Sequence, residues 1–236
     1  MHNWHQWRGP EATGVAPEGN PPVEWSQDKN IKWKIELPGK GSASPIVWED
    51  KIFLVTAIET DRKAEGAEVA EAAPEPEPEP ESDGGRRRCR RGGGRGRRSG
   101  PPCNDVQCVV LCLDRATGET LWQRVACEVV PHEGHHPTNS YASASPTTDG
   151  KYLYVSFGSR GIYCYDLDGN LKWKQDLGQM QTRNGFGEGA SPTIYGDSLV
   201  INWDHEGPSF LAVLDANTGE VRWKVDRDEV TTWCTP

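Results

Sequence analysis

The 236-residue sequence predicts an all-β fold, a β-propeller of four-stranded blades, on three observations. A four-part unit recurs three times, each unit closes on a single tryptophan, and the last three closing tryptophans are 51 and 50 residues apart. Four-stranded units of about 40 to 50 residues with one positioned Trp are the sequence signature of propeller blades.

Each unit opens on Ala-Ser-Pro, marked by Pro45, Pro146 and Pro192, and Thr235-Pro236 reads as the start of a fourth. With the strands of a unit lettered A to D from the inside outwards, strand A falls at residues 46–47, 147–148 and 193–194. Glu49-Asp50, Asp149-Gly150 and Gly196-Asp197 supply a tight turn into strand B at 52–56, 152–157 and 198–202. Strand C, at 109–113, 162–165 and 210–214, ends on Asp114, Asp166 and Asp215. Gly118, Gly169 and Gly219 then turn the chain into strand D, which carries Trp122, Trp173 and Trp223. Trp33 belongs to a leading strand D, 89 residues before Trp122 because a charged insertion interrupts that unit. Asp166-Leu-Asp168-Gly169-Asn170 looks like the start of a calcium loop. Its glycine stands at the fourth position where an EF-hand needs the sixth, so it reads as a hairpin corner.

The domain reading follows: an N-terminal extended segment over 1–21, blades over 22–61 and 105–236, and the insertion over 62–104. The insertion carries a Glu-Pro run followed by an Arg-Gly tract, and neither has the apolar content to build a core, so disorder is expected. Residues 65–83 hold eight acids and no base, and 86–98 eight arginines and no acid, so the net charge of −9 belongs wholly to the remainder. An acidic body and an Arg-Gly tract without interleaved aromatics argue against nucleic-acid binding. Mean hydropathy is −0.72, and no apolar run reaches the roughly 18 residues of a spanning helix. The first residues lack the basic and apolar regions of a signal peptide, which leaves open both a cytoplasmic chain and export of a longer precursor.

Strand order assigns the loops to two faces. A–B and C–D turns share one, and B–C and D–A loops share the other, where ligand-binding residues are expected because loops on a rigid scaffold commonly carry them. That face gathers His132, Glu133, His135, His136 and Asn139 from one D–A loop, Arg183, Asn184 and Glu188 from the next, and Asp204, His205 and Glu206 from a B–C loop. His132, His135 and His136, joined by Asp204 or His205, have the ligand types for zinc or another borderline metal, although the order is not HExxH and matches no zinc signature. A polar loop anchored on its backbone is the competing reading. Residues 183–189 hold glycines at 185, 187 and 189, but the loop runs into a strand and not a helix, so a phosphate cradle is not expected. Arg183 and Glu188 are candidates for a buried pair or a contact to a substrate carboxylate.

Of seven cysteines, Cys112 and Cys164 stand two residues before the strand-C Asp, where the third unit has Val213, and read as core. Cys103 with Cys108 would close a small loop at the base of the insertion, and Cys89 and Cys127 are further possible partners.

The stretches Leu113-Asp114-Arg115-Ala116-Thr117-Gly118-Glu119-Thr120-Leu121-Trp122 and Leu214-Asp215-Ala216-Asn217-Thr218-Gly219-Glu220-Val221-Arg222-Trp223 resemble the pyrroloquinoline-quinone-like (PQQ-like) repeat of the eight-bladed quinoprotein-like propellers. Trp7-Arg8-Gly9-Pro10, Trp25-Ser26 and Lys32-Trp33-Lys34 resemble the N-terminus of its exported bacterial branch. The resemblance implies an incomplete, N-terminal part of an eight-bladed ring, about three to four blades, with the remainder of the ring as partner. A closed four-bladed ring is disfavoured because strands B and C of the fourth unit are missing. It also implies a periplasmic or extracellular location and two possible roles. One is a non-catalytic scaffold binding protein or a cell-envelope polymer, as in the outer-membrane assembly propellers. The other is a quinone-dependent alcohol or sugar dehydrogenase with pyrroloquinoline quinone and calcium at the centre. That second role lacks an adjacent Cys-Cys pair and any matching calcium-ligand set here, so the scaffold is the expected role.

Overall fold

A computed structural model of the chain describes residues 3–16, 18–63 and 104–236. These residues form three four-stranded antiparallel sheets. The first contains β1 (Ile46–Trp48), β2 (Lys51–Lys63), β3 (Asn104–Asp114) and β4 (Thr120–Val129), in that order. The second contains β5 (Thr147–Thr148), β6 (Tyr152–Ser156), β7 (Ile162–Asp166) and β8 (Leu171–Gln175). The third contains β9 (Thr193–Tyr195), β10 (Ser198–Trp203), β11 (Ser209–Asp215) and β12 (Val221–Arg227). The all-β architecture of propeller blades, here an incomplete ring, is the one the repeats imply. No helix among the described residues is long and apolar enough to cross a membrane.

Blade interiors pack face to face. Phe53, Val55, Val106, Val110 and Cys112 of the first blade meet Leu153, Val155, Tyr163 and Tyr165 of the second. The opposite face of the second blade, Tyr154, Ile162, Cys164 and Trp173, meets Leu199, Ile201, Trp203, Phe210 and Leu214 of the third. Alternation along β6 and β7 therefore feeds two cores, which is why these strands read as continuous apolar runs and not as half-polar ones.

The markers of the unit each have a packing role. Asp114 Oδ1 accepts from the backbone N–H groups of Ala116 and Thr117, Asp166 Oδ1 from Asp168 and Asn170, and Asp215 Oδ1 from Asn217 and Thr218. These are side-chain-to-backbone turns of the kind that favour Asp. Gly118, Gly169 and Gly219 follow at φ of +79°, +81° and +78°, where glycine is favoured. The Trp of the preceding blade lies on each of them: Trp33 on Gly118, Trp122 on Gly169 and Trp173 on Gly219. The indole N–H groups donate to the carbonyls of Arg115, Leu167 and Ala216 at 3.1, 3.0 and 2.9 Å. A register shift recurs between Cys112 and Leu113, Cys164 and Tyr165, and Val213 and Leu214. This bulge lets the D strand turn its Trp towards the next blade.

The Ala-Ser-Pro motif forms a chain of inter-blade bonds. The backbone N–H of Ser44 donates to the Ser145 hydroxyl at 2.9 Å, that of Ser145 to Ser191 at 2.9 Å, and that of Ser191 to Thr235 at 3.3 Å. Thr235 thus occupies the serine position of a fourth unit.

Three details differ from the sequence reading. β2 and β3 are longer than expected, because Ile58 and Glu59 continue the ladder opposite Gln107 and Val106 and a shifted pair joins Lys63 to Asn104. Residues 62, 63 and 104 are therefore strand, while 64–103, including Cys89 and Cys103, lie outside the described residues. The segment around Trp33 is not a strand, since no C strand pairs with it among the described residues. It is held instead by the Trp33 bond and by Ile35 against the Leu54, Val109 and Leu111 cluster. In the N-terminal segment, Trp4 bridges to Val47, and the His5 carbonyl accepts from Thr148.

Candidate functional site

The B–C and D–A loops interlock through their own backbones. Glu206 N–H donates to the Gln181 carbonyl at 2.8 Å, Met180 N–H to the Ser159 hydroxyl at 2.8 Å, and Arg183 N–H to the Thr231 hydroxyl at 2.8 Å. Loops of such length carry polar backbone that needs partners, and neighbouring loops supply them here.

The three histidines do not converge. The His132 ring bonds the Met180 carbonyl at 2.7 Å, the His135 ring sits edge-on to Tyr141 with its Nδ1 at the His136 carbonyl, and His136 contacts Thr138 and Phe186. Asn139 donates to the carbonyls of Phe186 (2.9 Å) and Glu188 (3.4 Å), tying its loop to the next. No group of three or more His, Cys, Asp or Glu among the described residues is placed to hold a metal ion. His205 Nδ1 accepts from the N–H groups of Gln181 and Gly207, so its proton sits on Nε2, which donates to the Pro208 carbonyl at 3.1 Å.

The carboxylates are equally engaged. Both Glu133 oxygens accept from Thr182. Asp204, fully buried, receives Arg227 on both oxygens (2.8 and 3.2 Å) and the Thr232 hydroxyl at 2.8 Å. Burial raises the Asp204 pKa, but the bonds from Arg227, Thr232 and Asn202 outweigh it and hold the carboxyl below its ordinary value. Glu206 is lowered too, by the Thr231 hydroxyl and N–H.

Glu188 takes a partner the sequence did not suggest. It pairs with Arg160 at 3.3 Å, both side chains being 7% exposed, and accepts from the Ser159 N–H and hydroxyl at 2.8 and 2.5 Å. Arg183 lies exposed in a single 3₁₀ turn over Arg183–Gly185, with Asn184 exposed at φ +58°. Of the two roles the sequence left open for Arg183 and Glu188, a buried pair or a contact to a substrate carboxylate, the buried pair is made by Arg160 with Glu188. Arg160 also lies over the Tyr141 ring at 5.1 Å. Gly158, at φ +58°, leaves room for the Glu188 carboxylate where a Cβ would collide with it. Beside the pair is a cavity of about 20 Å³, room for about one water, lined by Arg160 and Asn202 among others. Arg160 Nε and Asn202 Oδ1, both buried, have no hydrogen-bond partner among the described residues. Arg160 was legible only as a cation between two glycines in a B–C loop aligned with Asp204-His205-Glu206-Gly207.

A pyrroloquinoline quinone with calcium needs convergent oxygen ligands with open coordination. The oxygens of Glu133, Glu188 and Asp204 are already bonded within the loops, so the described residues do not fit that group.

Blades docked by Trp on Gly, an inner chain of hydroxyl bonds and a face of interlocked loops define a repeat propeller of the PQQ-like type. The family described as outer membrane protein assembly factor BamB matches residues 107–235, more than half of the chain, and the protein belongs to that family. No curated protein matches the chain. Among solved structures it is similar to a quinohemoprotein alcohol dehydrogenase of Pseudomonas putida HK5 at 15% identity and TM-score 0.43, over 82% of this chain and 22% of that one. It is also similar to BamB of Moraxella catarrhalis at 17% identity and TM-score 0.34, over 55% and 36% of the two chains. A third similar structure is the quinohemoprotein alcohol dehydrogenase of Comamonas testosteroni, at 16% identity and TM-score 0.36, over 56% and 21%. The chain thus spans about a third or less of the length of these structures.

Proposed function

We propose that the protein is a non-catalytic binding or scaffold module of the bacterial cell envelope, periplasmic or extracellular, that takes a protein or envelope-polymer ligand on the face of D–A and B–C loops. The observation that carries this reading is the engagement of the loop side chains. His132, Glu133, Asn139, Glu188, Asp204, His205 and Glu206 brace one loop against another and so build a rigid relief. Rigid surfaces bind macromolecules at low ordering cost. His136, Arg183 and Asn184 form its exposed rim. Membership of a family described as an assembly factor supports the same reading.

A photo-crosslinking residue placed at Arg183 or His136 is expected to give an adduct in cells, while one at Glu220, on the face of C–D turns, gives none. Protease or glycosidase digestion of the adduct separates a protein from a polymer ligand. Equal adducts from both faces would remove the assignment of the loop face. Adding pyrroloquinoline quinone with calcium to the purified chain is expected to leave its melting temperature unchanged. A rise, with a bound visible chromophore, would favour the dehydrogenase instead.

A further inference from the structure

β3 and β4 place Cys108 directly opposite Cys127 in antiparallel register. Opposed residues of such a ladder have Cα atoms about 4.5 or 5.5 Å apart, and both spacings lie inside the range that a disulfide spans. The register shifts immediately after Cys108, so that Ala126 is the extra residue on β4. Both Ala126 and Cys127 consequently turn towards the core between the first and second blades, where Cys108 is fully buried. The two side chains face each other across this ladder, and both thiols are free. Cys127 is the more accessible, with the Tyr163 hydroxyl, Arg160 and Lys174 beside it. The neighbouring Cys108 thiol, with the Arg160 and Lys174 charges adding to it against burial, holds the Cys127 thiol below its ordinary pKa, whereas the same neighbour and burial push Cys108 up. One partner is thus readied as thiolate and the other retains its proton.

We propose that Cys108 and Cys127 are a reversible disulfide site, closed by thiol–disulfide exchange with a low-molecular-weight disulfide of the glutathione type. The Cys127 thiolate attacks one sulfur of the oxidant, forming a mixed disulfide and expelling one thiolate. Cys108 then loses its proton to that thiolate and attacks the Cys127 sulfur, releasing the second oxidant thiol. Two protein thiols are oxidised, one oxidant disulfide is reduced to two thiols, and the two electrons pass to the oxidant. The bond staples the C–D hairpin that carries Asp114, Gly118 and Trp122, beneath the base of the charged insertion. This assignment stands apart from the ligand-binding reading. It also differs from the Cys103–Cys108 loop suggested by the sequence, in that Cys108 faces Cys127.

The test is oxidation of the full chain with oxidised glutathione, followed by thiol counting under denaturing conditions and tryptic mass mapping. The expected result is a fall from seven thiols to five, with the peptide 99–115 linked to 125–151. The link should persist in Cys103→Ala and vanish in Cys108→Ala and in Cys127→Ser. The oxidised chain should melt roughly 5 °C or more above the reduced one, a difference absent in Cys127→Ser. Seven free thiols after treatment, or a link that survives Cys108→Ala or needs Cys103, would overturn the proposal. Cys127→Ser, on the outermost strand, keeps the test readable if Cys108→Ala fails to fold.

Discussion

At Arg160 and Glu188 a charged pair is held almost out of water, and the balance of its energies decides what each substitution does. Two ions in the interior offset their desolvation only while both remain. Arg160→Ala leaves Glu188 with the Ser159 bonds alone, and is expected to cost about 3–5 kcal/mol of stability in urea denaturation. Arg160→Met with Glu188→Gln removes both charges and should cost less than Arg160→Ala alone; equal losses would mean that the pair is not the stabilising unit. His135→Ala, by contrast, deletes one edge contact to Tyr141 and a bond to an adjacent carbonyl, and should cost about 1 kcal/mol or less. The sequence left Glu188 open to a buried pair with Arg183 or a substrate contact, and Arg160 is the cation that reaches it. Loop conformation, and not spacing, decides which cation reaches a carboxylate, and nothing in a 3₁₀ turn of three residues announces its direction. The gathering of His132, Asn139, Asp204 and Glu206 on one face was legible because strand order alone fixes it, whereas their bonding partners were not.

The D strand is the element on which blade docking depends. Trp173 is 9% exposed, stacks on Gly219 and donates to Ala216, so Trp173→Ala removes a large apolar surface and a buried bond together. A loss of about 3–5 kcal/mol is expected, read as a drop in the urea midpoint. Gly219→Val should be as damaging, since φ is +78° and a Cβ would stand 2.5 Å from Trp173 Cε3. Trp223, the same residue on β12, is 48% exposed, so Trp223→Ala should cost clearly less. Equal losses at Trp173 and Trp223 would show that inter-blade stacking is not what makes the Trp matter. These markers were readable because repetition at a period near 50 residues exposes the positions that packing cannot change. Strand length was not readable: β2 and β3 extend past the apolar run through Glu59, Gln107 and Lys63, polar residues that pair because their backbones face each other. The leading segment around Trp33 keeps the tryptophan contact of a D strand without a ladder, since sequence shows the pattern of a strand but not whether a partner strand lies beside it.

Across the whole molecule, acidic side chains fasten the parts that repetition creates. Asp204 ties β12 through Arg227 and the chain beyond it through Thr232, while Asp114, Asp166 and Asp215 hold the C–D corners. All four carboxyls lie below their ordinary value of 3.8 in the folded chain. A group whose folded pKa is depressed contributes stability that is fully present above the unfolded value and is lost as pH falls through the folded one. The stability that these four carboxylates contribute should therefore be constant from neutral pH down to about pH 5 and decline below about pH 4. Asp204→Asn removes one contributor in advance. Its melting temperature should be lower than that of the parent chain at pH 7, and the two curves should converge as the pH approaches 3. Thermal melts of both proteins across that range check the sign: parallel curves would mean that Asp204 is not among the groups whose protonation unfastens the blades, and a parent chain whose melting temperature rose on acidification would contradict the assignment of the corner aspartates as a set.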